Sequence, residues 1–163
     1  MNRRVFLEKS ALGAGAMTIV PKSVLAGRGF VPPSDRINLG YIGAGKQSYT
    51  LLERINACPG TLVLAASDVD AKKLNRFRDE AEKANTVKLE GGTQKVDTYG
   101  NYRELLERSD IDAVVIASPD HWHGMMAVDA ARAGKDIYCE KPLALTVAEG
   151  RAMVEAARKY NRV

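Results

Sequence analysis

Apolar residues in this chain gather into five short runs: "RINLGYI" over 36–42, "TLVLAAS" over 61–67, a weaker run near "KVDTY" over 95–99, "DAVVIAS" over 112–118 and "DIYCE" over 136–140. Between them the apolar positions recur at helical spacing, over about 46–57, 70–84, 101–108, 121–133 and 146–160. Strands that alternate with helices of this length imply parallel pairing through right-handed crossovers. The runs are nearly continuous rather than alternating, as expected where helices cover both faces of a sheet. The pattern therefore predicts an α/β fold with a doubly wound parallel sheet.

Polar residues mark the ends of the predicted helices. Asp70 is expected to cap the second helix, Asp120 the fourth, and Gly134 to close that fourth helix in a left-handed conformation. Thr146 with Glu149 three residues later reads as a capping box for the last helix. The segment 84–96, "ANTVKLEGGTQKV", is expected to be an exposed loop. The chain ends in "KYNRV", where a helix has just finished and a sixth strand is expected to begin, so a truncation before a further domain is expected.

Of the 163 residues, 45% are hydrophobic and 27% charged, which places the chain among globular proteins. Net charge is +4, but residues 1–26 carry four of the 24 basic residues and one of the 20 acids, so the remainder is close to neutral. No basic patch asks for nucleic acid or an anionic membrane. Residues 1–26 read as an export signal: a charged start, an apolar small-residue stretch from Ser10 to Val20, and small residues Val24 and Ala26 at a cleavage site. Arg3 and Arg4 followed by Phe6 and Leu7 resemble the twin-arginine signal, with Asn2 and Glu8 departing from it. The apolar stretch is too short for a mature membrane anchor. The rival reading is a frayed or amphipathic N-terminus of a cytoplasmic protein. Residues 27–35, "GRGFVPPSD", read as a linker, and 36–163 as one domain. The two cysteines, Cys58 and Cys139, are expected to be unpaired, with Cys139 behaving as a buried small hydrophobe.

Candidate chemistry begins with "INLGYIGAGKQS". Gly43 and Gly45, with Ser48 in the third glycine position, have the spacing of a dinucleotide-binding turn: the first permits a tight bend, the second lets backbone amides approach a pyrophosphate. The Ser48 hydroxyl must then find a partner. A strand precedes the turn, a helix follows, and Asp68 closes the second strand, which together make the pattern a Rossmann-type site. Asp68 would accept hydrogen bonds from the adenosine ribose hydroxyls and repel a 2′-phosphate, favouring NAD over NADP. Alternatively Asp68 or Asp70 only caps the next helix, and Lys72 and Lys73 keep NADP open.

A second cluster, "IASPDHWHG", follows the fourth strand. His121 and His123, the only histidines, flank Trp122. They read as a metal pair, a helix-start packing cluster, or a lining for nicotinamide and substrate. The metal reading is the weakest, because no Cys or carboxylate arrangement accompanies the pair. Pocket lining is the reading adopted, with His123 its member, since loops at that edge of a sheet carry function.

"GYIGAGKQS", "SDVDAKKL", "YRELLERSDIDAVVIASPDHWH" and "AGKDIYCEKPLALTVAEGR" resemble, in order and over about 36–163, the N-terminal domain of the glucose-fructose oxidoreductase, inositol dehydrogenase and MocA (Gfo/Idh/MocA) family. The Glu140-Lys141-Pro142 signature is the most specific of these stretches. The resemblance implies an NAD(P)-dependent two-domain enzyme acting on sugars, polyols or cyclitols. It implies that Lys141 lies beside nicotinamide and substrate as the catalytic residue, that Glu140 touches the nicotinamide ribose or orients Lys141, and that Pro142 fixes the turn. Ile42, Gly43, Gly45, Lys46, Gln47, Asp68, Ser118, Pro119, His123, Glu140 and Lys141 are the expected cofactor contacts, with no metal. The proton acceptor is expected in the second domain, so residues 27–163 alone are expected to bind cofactor without turnover. Some relatives are NAD-dependent glycoside hydrolases, which stands as the alternative activity; an inactive dinucleotide-binding module is the third. The expected partners are a small carbohydrate, the twin-arginine export machinery that would deliver the protein to the periplasm, and further copies of the chain.

Overall fold

The computed structural model describes residues 31–163, so the expected export signal and the start of the expected linker lie outside the described residues. Asp35–Val163 form one compact unit. A 3-10 turn, Pro33–Asp35, comes just before the first strand among the described residues.

Five strands form among the described residues: β1 Ile37–Ile42, β2 Thr61–Ser67, β3 Asp97–Tyr99, β4 Ala113–Ile116 and β5 Asp136–Cys139. All pair in parallel in the order β3-β2-β1-β4-β5. The helices are α1 Lys46–Asn56, α2 Ala71–Lys88, α3 Tyr102–Leu106, α4 Asp120–Arg132 and α5 Val147–Lys159. The fold is Rossmann-type, as the alternation of runs predicts. Its strand order reverses between β1 and β4, so the carboxyl ends of those two strands diverge into loops on opposite sides and open a crevice.

Alternate residues of each central strand feed two cores. Leu39, Tyr41, Val63 and Val115 pack with Leu51 of α1 and Leu74 and Phe77 of α2. Ile42, Val114 and Ile116 pack with Leu105 of α3 and Ala127 and Ala130 of α4 on the other face. Each such large side chain taken fully out of water stabilises the fold by about 1.5–3 kcal/mol before chain entropy is counted. The edge strands β3 and β5 contribute less, and their residues are mostly half-buried or exposed.

Most helix ends fall where their residues predict. Asp70 accepts from the Lys72 and Lys73 N–H groups, Thr146 and Glu149 form the capping box, and Gly134 sits at φ 78°. Asp120 departs from expectation: Pro119 occupies the cap position and Asp120 is the first helical residue, its Oδ1 accepting from the His121 N–H at 2.9 Å. The extended conformation that Pro119 brings, φ −60° and ψ 146°, already ends the loop one residue earlier.

The segment 84–96 is only partly the exposed loop expected. Helix α2 runs on to Lys88, Asn85 is buried and so is Val96. The cause is tertiary. Strand β3 pairs only with Ala65–Ser67, leaving the earlier edge of β2 bare. The Asn85 amide fills it: Nδ2 donates to the Val63 carbonyl at 2.7 Å and Oδ1 accepts from the Val63 N–H at 3.1 Å. A side-chain amide thus stands in for a missing strand residue. Both cysteines are free, Cys58 exposed and Cys139 half-buried. At the outer edge of β5, the Ile137 N–H donates to a Val163 backbone oxygen at 2.8 Å.

Candidate cofactor site

Gly43 follows β1 directly, at φ 98°. A Cβ there would lie 2.8 Å from the Ala117 carbonyl and the Ser118 nitrogen, so only glycine lets the turn pass under the end of β4. Its N–H donates to the Ser67 carbonyl at 2.8 Å. Ser48, fully buried, donates its hydroxyl to the Gly43 carbonyl at 2.6 Å, which supplies the partner the serine needs. Gly45 is the N-cap of α1 and no side chain caps that helix. Nothing lies within 4 Å of a Cβ built on Gly45, so open space stands over uncapped N–H groups at the positive end of α1. That cradle fits a pyrophosphate, with Gly45, Lys46 and Gln47 as its floor.

Asp68 reaches back to the same turn. Its Oδ2 accepts from the Ala44 N–H at 2.7 Å and its Oδ1 from the Asp70 N–H at 2.8 Å. Each oxygen retains a lone pair for a ribose hydroxyl. Asp70, the helix cap, is a different kind of acid: the N–H groups of Lys73 and Lys72 hold its carboxyl below the usual range. Lys73 is drawn towards it at 3.7 Å. The helix-cap alternative therefore describes Asp70, while Asp68 serves the turn.

These residues line a cleft of about 740 Å³. Of the expected contacts, Ile42, Gly43, Gly45, Lys46, Gln47, Asp68, Ser118 and Pro119 bound it, whereas His123, Glu140 and Lys141 do not. Its far wall holds residues outside the expected set, among them Lys73, Asn101, Tyr102, Arg103, Trp122 and Met126. Arg103 lies over the Tyr102 ring, 4.6 Å from its centroid, and pairs with Asp129 at 3.2 Å. Burial, with a 2.8 Å bond to Asp129, pushes the Tyr102 hydroxyl up to about 12. The signal for this wall was present: Asn101 caps a helix immediately after the third strand, at the ligand-binding edge of the sheet.

The Glu140-Lys141-Pro142 turn sits at the end of β5. The Glu140 N–H donates to the Ile116 carbonyl, extending the β4–β5 ladder by one residue. Its carboxylate accepts from Gln47 Nε2 at 3.2 Å and from the Lys141 N–H at 3.1 Å, joining the start of α1 to this turn. The Lys141–Pro142 peptide is cis. Lys141 is exposed, and among the described residues its ammonium makes no hydrogen bond or ion pair. His123 lies beneath this surface, 1% exposed, rather than in the cleft wall. Its Nδ1 is 2.8 Å from the Pro142 carbonyl and its Nε2 2.8 Å from the Ser118 carbonyl. His121 is exposed and stands 3.7 Å from Asp120. The motif residue that faces the cleft is Trp122.

Comparison with known proteins agrees with this geometry. The family model described as "Oxidoreductase family, NAD-binding Rossmann fold" matches residues 37–163. A glycosyl hydrolase family 109 protein of Shewanella sp. (strain ANA-3) is 33% identical over 159 residues, 93% of this chain and 33% of its own length. The alpha-N-acetylgalactosaminidase of Shewanella oneidensis is 32% identical over the same shares. This chain thus spans about a third of the curated relatives it matches. Among solved structures, a 3-ketoreductase from Actinomadura kijaniata in complex with NADP aligns with a TM-score of 0.65 at 28% identity, over 78% of this chain and 36% of that one. A myo-inositol 2-dehydrogenase from Lactobacillus plantarum aligns at 0.64 and 26%, over 78% and 35%. The chain belongs to the Gfo/Idh/MocA oxidoreductase family and is its NAD(P)-binding Rossmann domain.

Proposed function

We propose that this chain is the cofactor-binding part of an exported NAD-dependent oxidoreductase that moves hydride between nicotinamide and a carbinol carbon of a sugar, polyol or cyclitol. One observation carries the reading: the uncapped Gly45 helix start, the Asp68 carboxylate and the unpaired Lys141 ammonium all lie at the carboxyl edge of one sheet, about its switch point. When bound, the dinucleotide supplies the hydride acceptor. The backbone at Gly45 and the first turn of α1 hold its phosphates. Asp68 receives the ribose hydroxyls and opposes a 2′-phosphate, which supports NAD over NADP. Lys141 holds the substrate hydroxyl and stabilises the negative charge that grows on its oxygen as the proton leaves. Glu140, bonded to the Lys141 N–H and to Gln47, orients that turn.

A second reading is supported by the hydrolase names of the Shewanella relatives. A glycoside hydrolase using tightly held NAD would begin with the same hydride removal and return the hydride later. Lys141 would keep its role, and only the net outcome differs.

Calorimetric titration of the chain with NAD and NADP, with Asp68→Ala as control, tests the cofactor assignment; failure to bind either sinks it. This chain alone is expected to bind without turnover, and NADH accumulating with a sugar would overturn that. For the complete gene product, net NADH indicates the oxidoreductase and sugar release without it the hydrolase. Export to the periplasm rests on Arg3, Arg4 and the apolar stretch that follows. Cell fractionation of an Arg3→Lys, Arg4→Lys variant is expected to retain the protein in the cytoplasm; unchanged periplasmic delivery would exclude the twin-arginine route.

A further inference from the structure

A ring buried to 1% exposure that spends both its nitrogens on backbone carbonyls is not available to a ligand. What His123 does touch is informative. Ser118 lies two residues past the end of β4 and lines the cleft, while Pro142 directly follows Lys141. The two carbonyls belong to segments 24 residues apart in the chain, each carrying one side of the proposed site, and the imidazole spans the gap between them.

We propose that His123 is a positioning residue: it ties the Lys141-Pro142 turn to the Ser118 strand end, and so sets where the Lys141 ammonium stands relative to the cofactor cleft. A carbonyl oxygen only accepts, so both contacts are hydrogen bonds only when both ring nitrogens carry hydrogen. A neutral ring would hold one segment and press a lone pair against the other. No other described side chain bridges these two segments: Glu140 reaches Gln47 and its own neighbour, and Glu149 turns to the Leu145 and Thr146 N–H groups.

This inference rests on the proposed role of Lys141, but its first test does not. Nitrogen-15 spectra of histidine-labelled full chain, without cofactor, are expected to show both ring nitrogens of His123 hydrogen-bonded to carbonyls; a ring nitrogen without such a bond overturns the tie. His123→Phe keeps a ring without donors. It is expected to speed hydrogen exchange at the Lys141 N–H and shift the Lys141 ammonium resonance while leaving exchange at the Val63 N–H, on the far side of the sheet, unchanged. Equal loosening at both sites would reveal a merely structural histidine. Cofactor affinity of that variant is expected to fall by roughly tenfold, the scale of one hydrogen bond. If the unaltered chain binds neither dinucleotide, the functional reading fails while the ring spectrum still decides the tie.

Discussion

The Asp68 carboxylate accepts from the Ala44 N–H at 2.7 Å, joining the end of β2 to the middle of the glycine turn, 24 residues earlier in the chain. The acid that is proposed to meet the ribose also fixes the shape of the loop that is proposed to hold the phosphates. Asp68→Ala removes both functions, and NAD affinity is expected to fall about 10- to 100-fold, as for loss of a hydrogen bond to a charged group. Asp68→Asn keeps an acceptor for Ala44 and is expected to fall between. Both variants are expected to lose more affinity for NAD than for NADP in parallel titrations. An equal loss for the two would assign Asp68 to the loop alone.

Gly43 and Gly45 are two residues apart and make opposite predictions. Gly43→Ala puts a Cβ 2.8 Å from the backbone of Ala117 and Ser118 at φ 98°, and is expected to lower stability by about 1–3 kcal/mol, the range for overpacking and left-handed strain. Gly45→Ala meets nothing within 4 Å and is expected to fold with unchanged thermal stability yet lose dinucleotide affinity, because its methyl group occupies the space over the helix start. Thermal melts paired with titrations read both. A Gly45→Ala protein that binds normally would move the phosphate site elsewhere.

Much of this architecture could be read from the chain because local and global preferences agree. Runs such as "DAVVIAS" suit buried parallel strands, and Thr146 with Glu149 or Gly134 mark ends through their own backbone chemistry. The glycine turn and Asp68 were legible for the same reason. What escaped depends on partners distant in sequence. Asn85 looks like a loop residue until β2 presents a bare edge for its amide, and His123 looks like pocket lining until two carbonyls claim its ring. Trp122, the middle of the same motif, faces the cleft instead. Helical geometry alone does not say which of three consecutive residues turns outward; the packing of α4 against the sheet decides.

The Asn85 bonds to Val63 predict a stability effect without a functional one. Asn85→Ala leaves the Val63 N–H and carbonyl buried without partners, and a loss of about 2–4 kcal/mol is expected from two such groups. Urea denaturation measures it, and cofactor affinity of the folded variant is expected to stay unchanged. A loss well below this range would mean that water reaches the β2 edge and replaces the amide.

Cys139 offers a pH-dependent test of how well β5 is covered. Burial, with a smaller contribution from Glu140, pushes its thiol from the usual 9.0 up to about 11. An acid whose folded pKa is raised binds more protons folded than unfolded between those two values, so stability falls as pH rises from about 9 to 11 and is unaffected by this group below that window. Cys139→Ala is expected to flatten the decline relative to the unaltered chain in denaturation curves at pH 8, 9 and 10. The same burial predicts the alkylation pattern: under native conditions at pH 8 a thiol reagent is expected to label exposed Cys58 first and Cys139 only after unfolding, as mass spectrometry would show. Rapid native labelling of both would mean that the end of β5, next to the Glu140-Lys141-Pro142 turn, opens to solvent far more readily than its packing against Ile116 and its neighbours implies.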